Sequence, residues 1–523
     1  MQFTPSQHTT QHWKLEKPAA SGRRGIVVAQ VKSAAEAGVA VLDAGGNAID
    51  AAVATALCLA AVEPWNSGLG GIGHALIHRA GQGRADAVDF GPTAPAGLDP
   101  SRFRLTGKVA ADLFGWPEVA GDTNIHGPLS FVIPSAVAGY AEMHTRWGKL
   151  PLSEIAQPAI ALAKRGLPQD WHTTLKVANS AAILRRYPES ARIYLRDGLP
   201  PLAPYQGALS YFKLGRLAET LEQLAASGWR DFYEGAIAAD IAADVKELGG
   251  VVSADDLRGC RARVMPANEL AWRGRTLQLT GPLTAAPTAS DVLRQMGNAQ
   301  FGTAPDAIWY VTLARALKAA YAQRLSSLGD AEPQAAESCT THITVADADG
   351  TMVAMTTTLL SSMGSRVVLP KTGILMNNGV MWFDPVPGKP NSIAPGKRPL
   401  TNMFPIILRD GATPWIAAGA SGGRRIMAAV LQLLTFVADF GMSVEAAAHQ
   451  PRIDVSDPNK VTADRRLAPD ILRALQADGP TEIVEHSVLP LNFACPNLVL
   501  QQDGARTGTS DAISPWSAAV AQA

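Results

Sequence analysis

The chain has 523 residues, 47% of them hydrophobic, enough for a large buried core and too many for one simple domain. Its 46 basic and 46 acidic side chains cancel, so no basic excess points to nucleic acid or to an anionic membrane. Charged residues are only 18%, against a disordered chain, and the four cysteines, Cys58, Cys260, Cys339 and Cys495, show neither disulfide-framework nor structural-zinc spacing.

Met1–Arg24 is polar and has no apolar run of the secretory kind, so a cytoplasmic soluble protein is expected. Gly25–Gln30 reads as a short buried strand and Ala34–Leu42 as a helix ended by Gly45–Gly46–Asn47. Ala48–Val62 is a second, alanine-rich helix, too short for the ~20 residues that cross a bilayer and too apolar for a lone surface helix. Glu63–Gly71 is a glycine-rich loop, followed by strands His74–His78 and Ala87–Phe90. From Ser135 to Leu325 helical patterns dominate, as in Ser153–Arg165, Leu217–Ser227 and Ala236–Leu248. Gly329–Cys339 is small and polar, as an exposed joint should be. Beyond Thr341 the pattern turns to strands: Ile343–Ala346, Met352–Thr357, Ile374–Met376, Pro405–Leu408 and Trp415–Ala417, interrupted by a helix over Arg425–Phe440.

The shift from helix to strand falls at Cys339–Thr340. A threonine becomes a good nucleophile when it starts a polypeptide, because its own α-amine then serves as base. Position alone favours an ordinary interdomain linker. The motifs on either side change that balance. TTHITVADADG, TTTLLSSMGSRVVLPKTGILMNN, PGKRPLTNMFPII and AAGASGGRRI follow the joint in order. AGGNAIDAAVATAL, VEPWNSGLGG, VIPSAVAGY, QPAIALAKRG and FYEGAIAADIAADVKELGG precede it. Together, from Gly25 to Asp511, these resemble the γ-glutamyltransferase family of N-terminal-nucleophile hydrolases.

The resemblance implies an α+β fold, an αββα sandwich of two stacked sheets flanked by helices. It implies a proenzyme that cuts itself between Cys339 and Thr340, leaving a large chain, 1–339, and a small chain, 340–523, held together as one unit. Thr340 would then attack an amide carbonyl, form an acyl-enzyme and release the acyl group to water or an amine. Thr358 falls where the family places a second threonine that orients the nucleophile. Gly422 and Gly423 match the pair whose backbone N–H groups hold the oxyanion. Thr341 and His342 are expected to shape the strand, not to do chemistry.

Other positions depart from the family pattern. Gly91 stands where an arginine grips the glutamyl α-carboxylate. Leu360 replaces an asparagine, and Trp382 an acidic residue, that hold the α-ammonium. Thr401–Asn402 replaces a serine pair. The expected pocket is small, more apolar and poor at holding glutamate. One branch of the family, the oxamate amidohydrolases of allantoin breakdown, shares these traits, so the resemblance implies hydrolysis of oxamate to oxalate and ammonia. Thr401, Asn402, Arg366 and Arg398 are candidate donors to the oxamate carboxylate. The alternatives are a glutathione hydrolase or γ-glutamyltransferase, a glutaryl- or cephalosporin-type acylase, and an inactive relative that only binds. No cofactor, metal, nucleic acid or membrane partner is expected. Some family members pair as two heterodimers, and the residues leave oligomeric state and acceptor open.

Overall fold

The computed structural model describes residues 15–109, 116–297, 299–328, 338–457 and 459–523. The start of the polar N-terminal segment and most of the joint, 329–337, lie outside the described residues.

Two seven-stranded sheets form the centre of the molecule, and every pairing within them is antiparallel. The first runs in the order Ala518–Ala521, Ile26–Ala29, Ser338–Ala346, Met352–Ser361, Ile72–His78, Asp86–Phe90, Arg263–Pro266. The second runs Ala20–Gly22, Ala505–Ser510, Cys495–Gln502, Thr413–Ser421, Ile406–Asp410, Arg275–Leu279, Asn268–Trp272. Strands from both sides of Thr340 therefore interleave in each sheet.

Strand alternation explains the layers. In Ile26–Ala29, Ile26 and Val28 point between the sheets, where they meet Ile407, Ala417 and Val499. Val27 and Ala29 point outward and pack under helices Lys32–Asp43 and Ala48–Val62. The outer face of the second sheet is covered by helices Ala286–Gly297, Ala307–Leu328 and Arg425–Ala438. Helices thus flank both sheets, giving the four-layer α+β sandwich. Helix Ala48–Val62 is buried along its whole length, which explains its lack of a polar face. Its start is fixed by a capping box: the Asn47 side chain accepts from the Ile49 and Asp50 amides, and Asp50 accepts from the Asn47 amide.

Several elements differ from the sequence expectation. Ser153–Arg165 is two helices, Leu152–Ile155 and Gln157–Arg165, because Pro158 suits a helix start but not an interior. Ile374–Met376 is not a strand; Leu375 and Met376 make single bridges to Val368 and Gly70. The supposedly helical stretch also holds strands Arg263–Pro266, Asn268–Trp272 and Arg275–Leu279. The last two form a hairpin across Arg273–Gly274, both at positive φ (46° and 80°), the two-residue turn that matches strand twist. No helix among the described residues is long and apolar enough to cross a membrane.

Candidate active site

Thr340 lies in the middle of the first sheet, in strand Ser338–Ala346. The pairing with Met352–Ser361 slips there: Cys339 faces Leu360, but Thr341 faces Thr357. Thr340 is thus opposed by two residues, Thr358 and Leu359, in a β-bulge. The bulge places Leu360 at φ 87°, a left-handed conformation that a leucine rarely adopts. The Leu360 amide donates to Thr358 Oγ1 at 2.8 Å, and the Thr340 hydroxyl donates to the same oxygen at 3.3 Å. Thr340 and Thr358 are both buried.

The register separates the three consecutive threonines. Thr356 Oγ1 bonds His342 Nδ1 at 2.8 Å, Thr357 Oγ1 bonds the Tyr140 hydroxyl at 3.0 Å, and Thr358 meets Thr340. His342 is fully buried, and burial pulls its imidazole down to about 3, so it is neutral. Its ring fills the space that a Cβ would need at Gly419 of the opposite sheet, so the two residues pack directly across the sheets.

The glycine pair follows a strand of that second sheet, and Gly423 comes beside Thr340. Strand Thr413–Ser421 ends at Ser421, Gly422 and Gly423 follow at φ 137° and 61°, and helix Arg425–Ala438 begins. Both angles favour glycine. A Cβ on Gly422 would also stand 2.7 Å from Ala494 Cα. Gly423 and Thr340 line one small cavity, about 10 Å³, together with Leu360, Trp382, Asn402, Met403 and Ile426. That volume holds about one water. No charged side chain lines it.

Three of the positions expected to set specificity, Leu360, Trp382 and Asn402, therefore meet beside Thr340; Gly91 and Thr401 do not line the cavity. A Cβ at Gly91 would stand 2.8 Å from His74 Nε2 and 2.9 Å from Arg398 Nη2. Those two side chains leave no room there for a longer one. Arg398 itself grips both oxygens of Asp89, at 2.8 and 2.5 Å, and Arg366 donates to Ser361 Oγ and to the Gly364 carbonyl. Both arginines are engaged within the protein. The Thr401 hydroxyl is turned to the Leu283 carbonyl at 3.0 Å. Trp382 ends a short helical turn, Gly379–Trp382, fixed by Asn377, whose Oδ1 accepts from the Val132 and Gly379 amides at 3.0 Å each.

Arg324 is a residue that the sequence did not single out. It lies near the end of helix Ala307–Leu328 and donates to Asn402 Oδ1 at 3.2 Å and to the Thr401 carbonyl at 2.7 Å. It also donates to the Thr284 carbonyl and Thr288 Oγ1, both at 3.2 Å. Burial lowers its guanidinium to about 10, still charged at neutral pH. Only its place in the last turns of the helix before the joint hinted at this. No cluster of metal-ligating side chains occurs among the described residues.

A four-layer sandwich whose inner strands bring a buried threonine to a glycine turn is the architecture of the N-terminal-nucleophile hydrolases. Residues 34–338 and 331–512 match the family model of gamma-glutamyltranspeptidase. The chain belongs to that family. It is 29% identical to the glutathione hydrolase proenzyme of Escherichia coli (strain K12), over 94% of this chain and 90% of that protein. It is 33% identical to the acylase ACY 1 proenzyme of Pseudomonas sp. (strain SE83), covering 84% of each. The fold is similar to the crystal structure of the cephalosporin acylase from Bacillus halodurans, with a TM-score of 0.83 and 22% identity over 99% of both chains. As its relatives are, the protein is a self-processing amidohydrolase.

Proposed function

We propose that the chain cuts itself before Thr340 and then hydrolyses the linear amide of a small acid, with oxamate as the preferred substrate. The observation that carries this reading is the cavity at Thr340: an orienting hydroxyl and a glycine turn are present, while Leu360 and Trp382 occupy the positions where glutamate recognition needs polar and acidic groups. A glutamyl ammonium would be buried there without a counter-charge, which costs roughly 3–5 kcal/mol.

In the uncut chain, the Thr340 hydroxyl attacks the Cys339 carbonyl carbon. The peptide C–N bond breaks, the Thr340 nitrogen takes the proton, and water hydrolyses the resulting ester. Cys339 then carries a carboxylate and Thr340 a free amine. In turnover, the amine accepts the hydroxyl proton as Oγ1 attacks the substrate amide. The Gly422 and Gly423 amides receive the developing oxyanion, and the proton leaves with ammonia. Water splits the acyl ester, giving oxalate and regenerating the hydroxyl. Asn402, held by Arg324, is the polar side chain available to the substrate's carboxylate. The fragments 1–339 and 340–523 stay together because each contributes hydrogen-bonded strands to both sheets.

A second reading, a glutaryl- or cephalosporin-type acylase, is favoured by the 33% identity to the Pseudomonas acylase. Processed protein should release ammonia from oxamate faster than it hydrolyses γ-glutamyl-p-nitroanilide or glutaryl amides. Faster turnover of glutaryl amides would select the second reading. Turnover of the γ-glutamyl compound alone would reject both.

A further inference from the structure

One buried carboxyl outside the residues assigned above faces one half of the site and is linked to the other through two side chains. Glu63 follows helix Ala48–Val62 and is 3% exposed. Its Oε1 accepts from Asn66 Nδ2 at 2.6 Å. Its Oε2 is buried with no hydrogen-bond partner of good geometry, and so is the hydroxyl of Thr341, which faces it. Thr341 is the residue after Thr340. In the other direction, Asn66 Nδ2 also donates to Gln30 Oε1 at 3.2 Å, and Gln30 Nε2 donates to Ser421 Oγ. Ser421 is the residue before Gly422. The same loop is tied to the bulge, where the Leu359 amide donates to the Asn66 carbonyl at 2.9 Å.

From this geometry we infer that Glu63 is a positioning residue, which sets the Thr340 end of one sheet against the Gly422–Gly423 turn of the other. The inference rests on Thr340 being the nucleophile. Glu63 acts in its neutral form, accepting from Asn66 at Oε1 and setting a protonated Oε2 against the Thr341 hydroxyl. Burial favours that form. It pushes the carboxyl up to about 8, against the pull of Thr341 on the strand, Asn66 on its own loop and Lys176 on helix Trp171–Leu184. Ionisation would remove the proton from Oε2 and place a buried negative charge between the two halves.

The test follows self-cleavage and amide hydrolysis, from neutral to alkaline pH, in wild type, Glu63→Gln, Glu63→Ala and Thr340→Ala. Wild type should lose rate on the alkaline side with a midpoint near 8. Glu63→Gln keeps a donor and an acceptor that cannot ionise, so it should still cleave and should lack that alkaline fall. Glu63→Ala should slow cleavage by about tenfold or more at every pH, the scale of one buried hydrogen bond. An unchanged alkaline limb in Glu63→Gln, or a wild-type rate in Glu63→Ala, overturns the role of Glu63 and leaves Thr340 standing. Cleavage in Thr340→Ala overturns the nucleophile assignment and the Glu63 inference with it. Circular dichroism of each variant separates loss of fold from loss of positioning.

Discussion

The Leu360 amide and the Thr340 hydroxyl donate to the same oxygen, Thr358 Oγ1. One side chain thus holds both the candidate nucleophile and the strained turn of the bulge facing it. Thr358→Ala removes that shared acceptor, and Thr358→Ser keeps it. Self-cleavage, followed on denaturing gels, should slow by about tenfold or more in Thr358→Ala and stay close to wild type in Thr358→Ser, given the usual cost of an unsatisfied buried donor.

Leu360 and Trp382 define the apolar side of the cavity. Converting them together, Leu360→Asn with Trp382→Asp, restores an amide and a negative charge where a glutamyl ammonium would lie. Asparagine also tolerates the left-handed backbone at position 360 better than leucine does. The double variant should gain turnover of γ-glutamyl-p-nitroanilide and lose oxamate turnover, read as kcat/KM for each. Trp382→Ala alone should instead widen acyl choice toward glutaryl amides.

The bulge and the motifs differ in how they show in sequence. Thr340, Thr358 and Gly422–Gly423 are legible because each sits in a long motif whose order is specific. The slip in register is not, since three consecutive threonines fit either face of a strand. Arg324 and Glu63 were also hidden. Each is distant in sequence from the groups it serves, and each looks like an ordinary charged residue at a helix end. Gly91 and Thr401 were expected in the pocket, and packing decides otherwise: His74 and Arg398 crowd the first, and the Leu283 carbonyl claims the hydroxyl of the second.

A buried ion pair supports the glycine turn from behind. Arg452 donates to Asp511 Oδ2 at 2.6 Å and to the Ala494 carbonyl at 3.3 Å, and Ala494 abuts Gly422. Burial pushes the Asp511 carboxyl up, but His486, Arg452 and Lys17 outweigh it and hold it at about 2. The folded value lies below the unfolded one, so this stabilisation is present above about pH 4 and is lost as pH falls toward 2. Asp511→Asn leaves Arg452 buried without its counter-charge and should cost about 3–5 kcal/mol of stability near neutral pH. Denaturant unfolding checks this, and the gap to wild type should narrow in acid.

Glu63 has the opposite linkage. Its folded value, about 8, lies above the ordinary 4.5, so the folded state binds the extra proton. Its contribution to stability is greatest below about pH 4.5 and declines as pH rises to about 8. Glu63→Gln should be more stable than wild type at alkaline pH, with the difference shrinking as pH falls. Thermal unfolding at several pH values reads this directly.

In the proposed reaction Thr340 is both the cutting residue and the new terminus. N-terminal sequencing of the bands on a denaturing gel tests it most directly. Wild type should give two fragments, 1–339 and 340–523, the smaller one beginning Thr340–Thr341–His342, while Thr340→Ala stays a single chain. A wild-type protein that hydrolyses amides as one uncut chain, or a fragment beginning anywhere else, would contradict it.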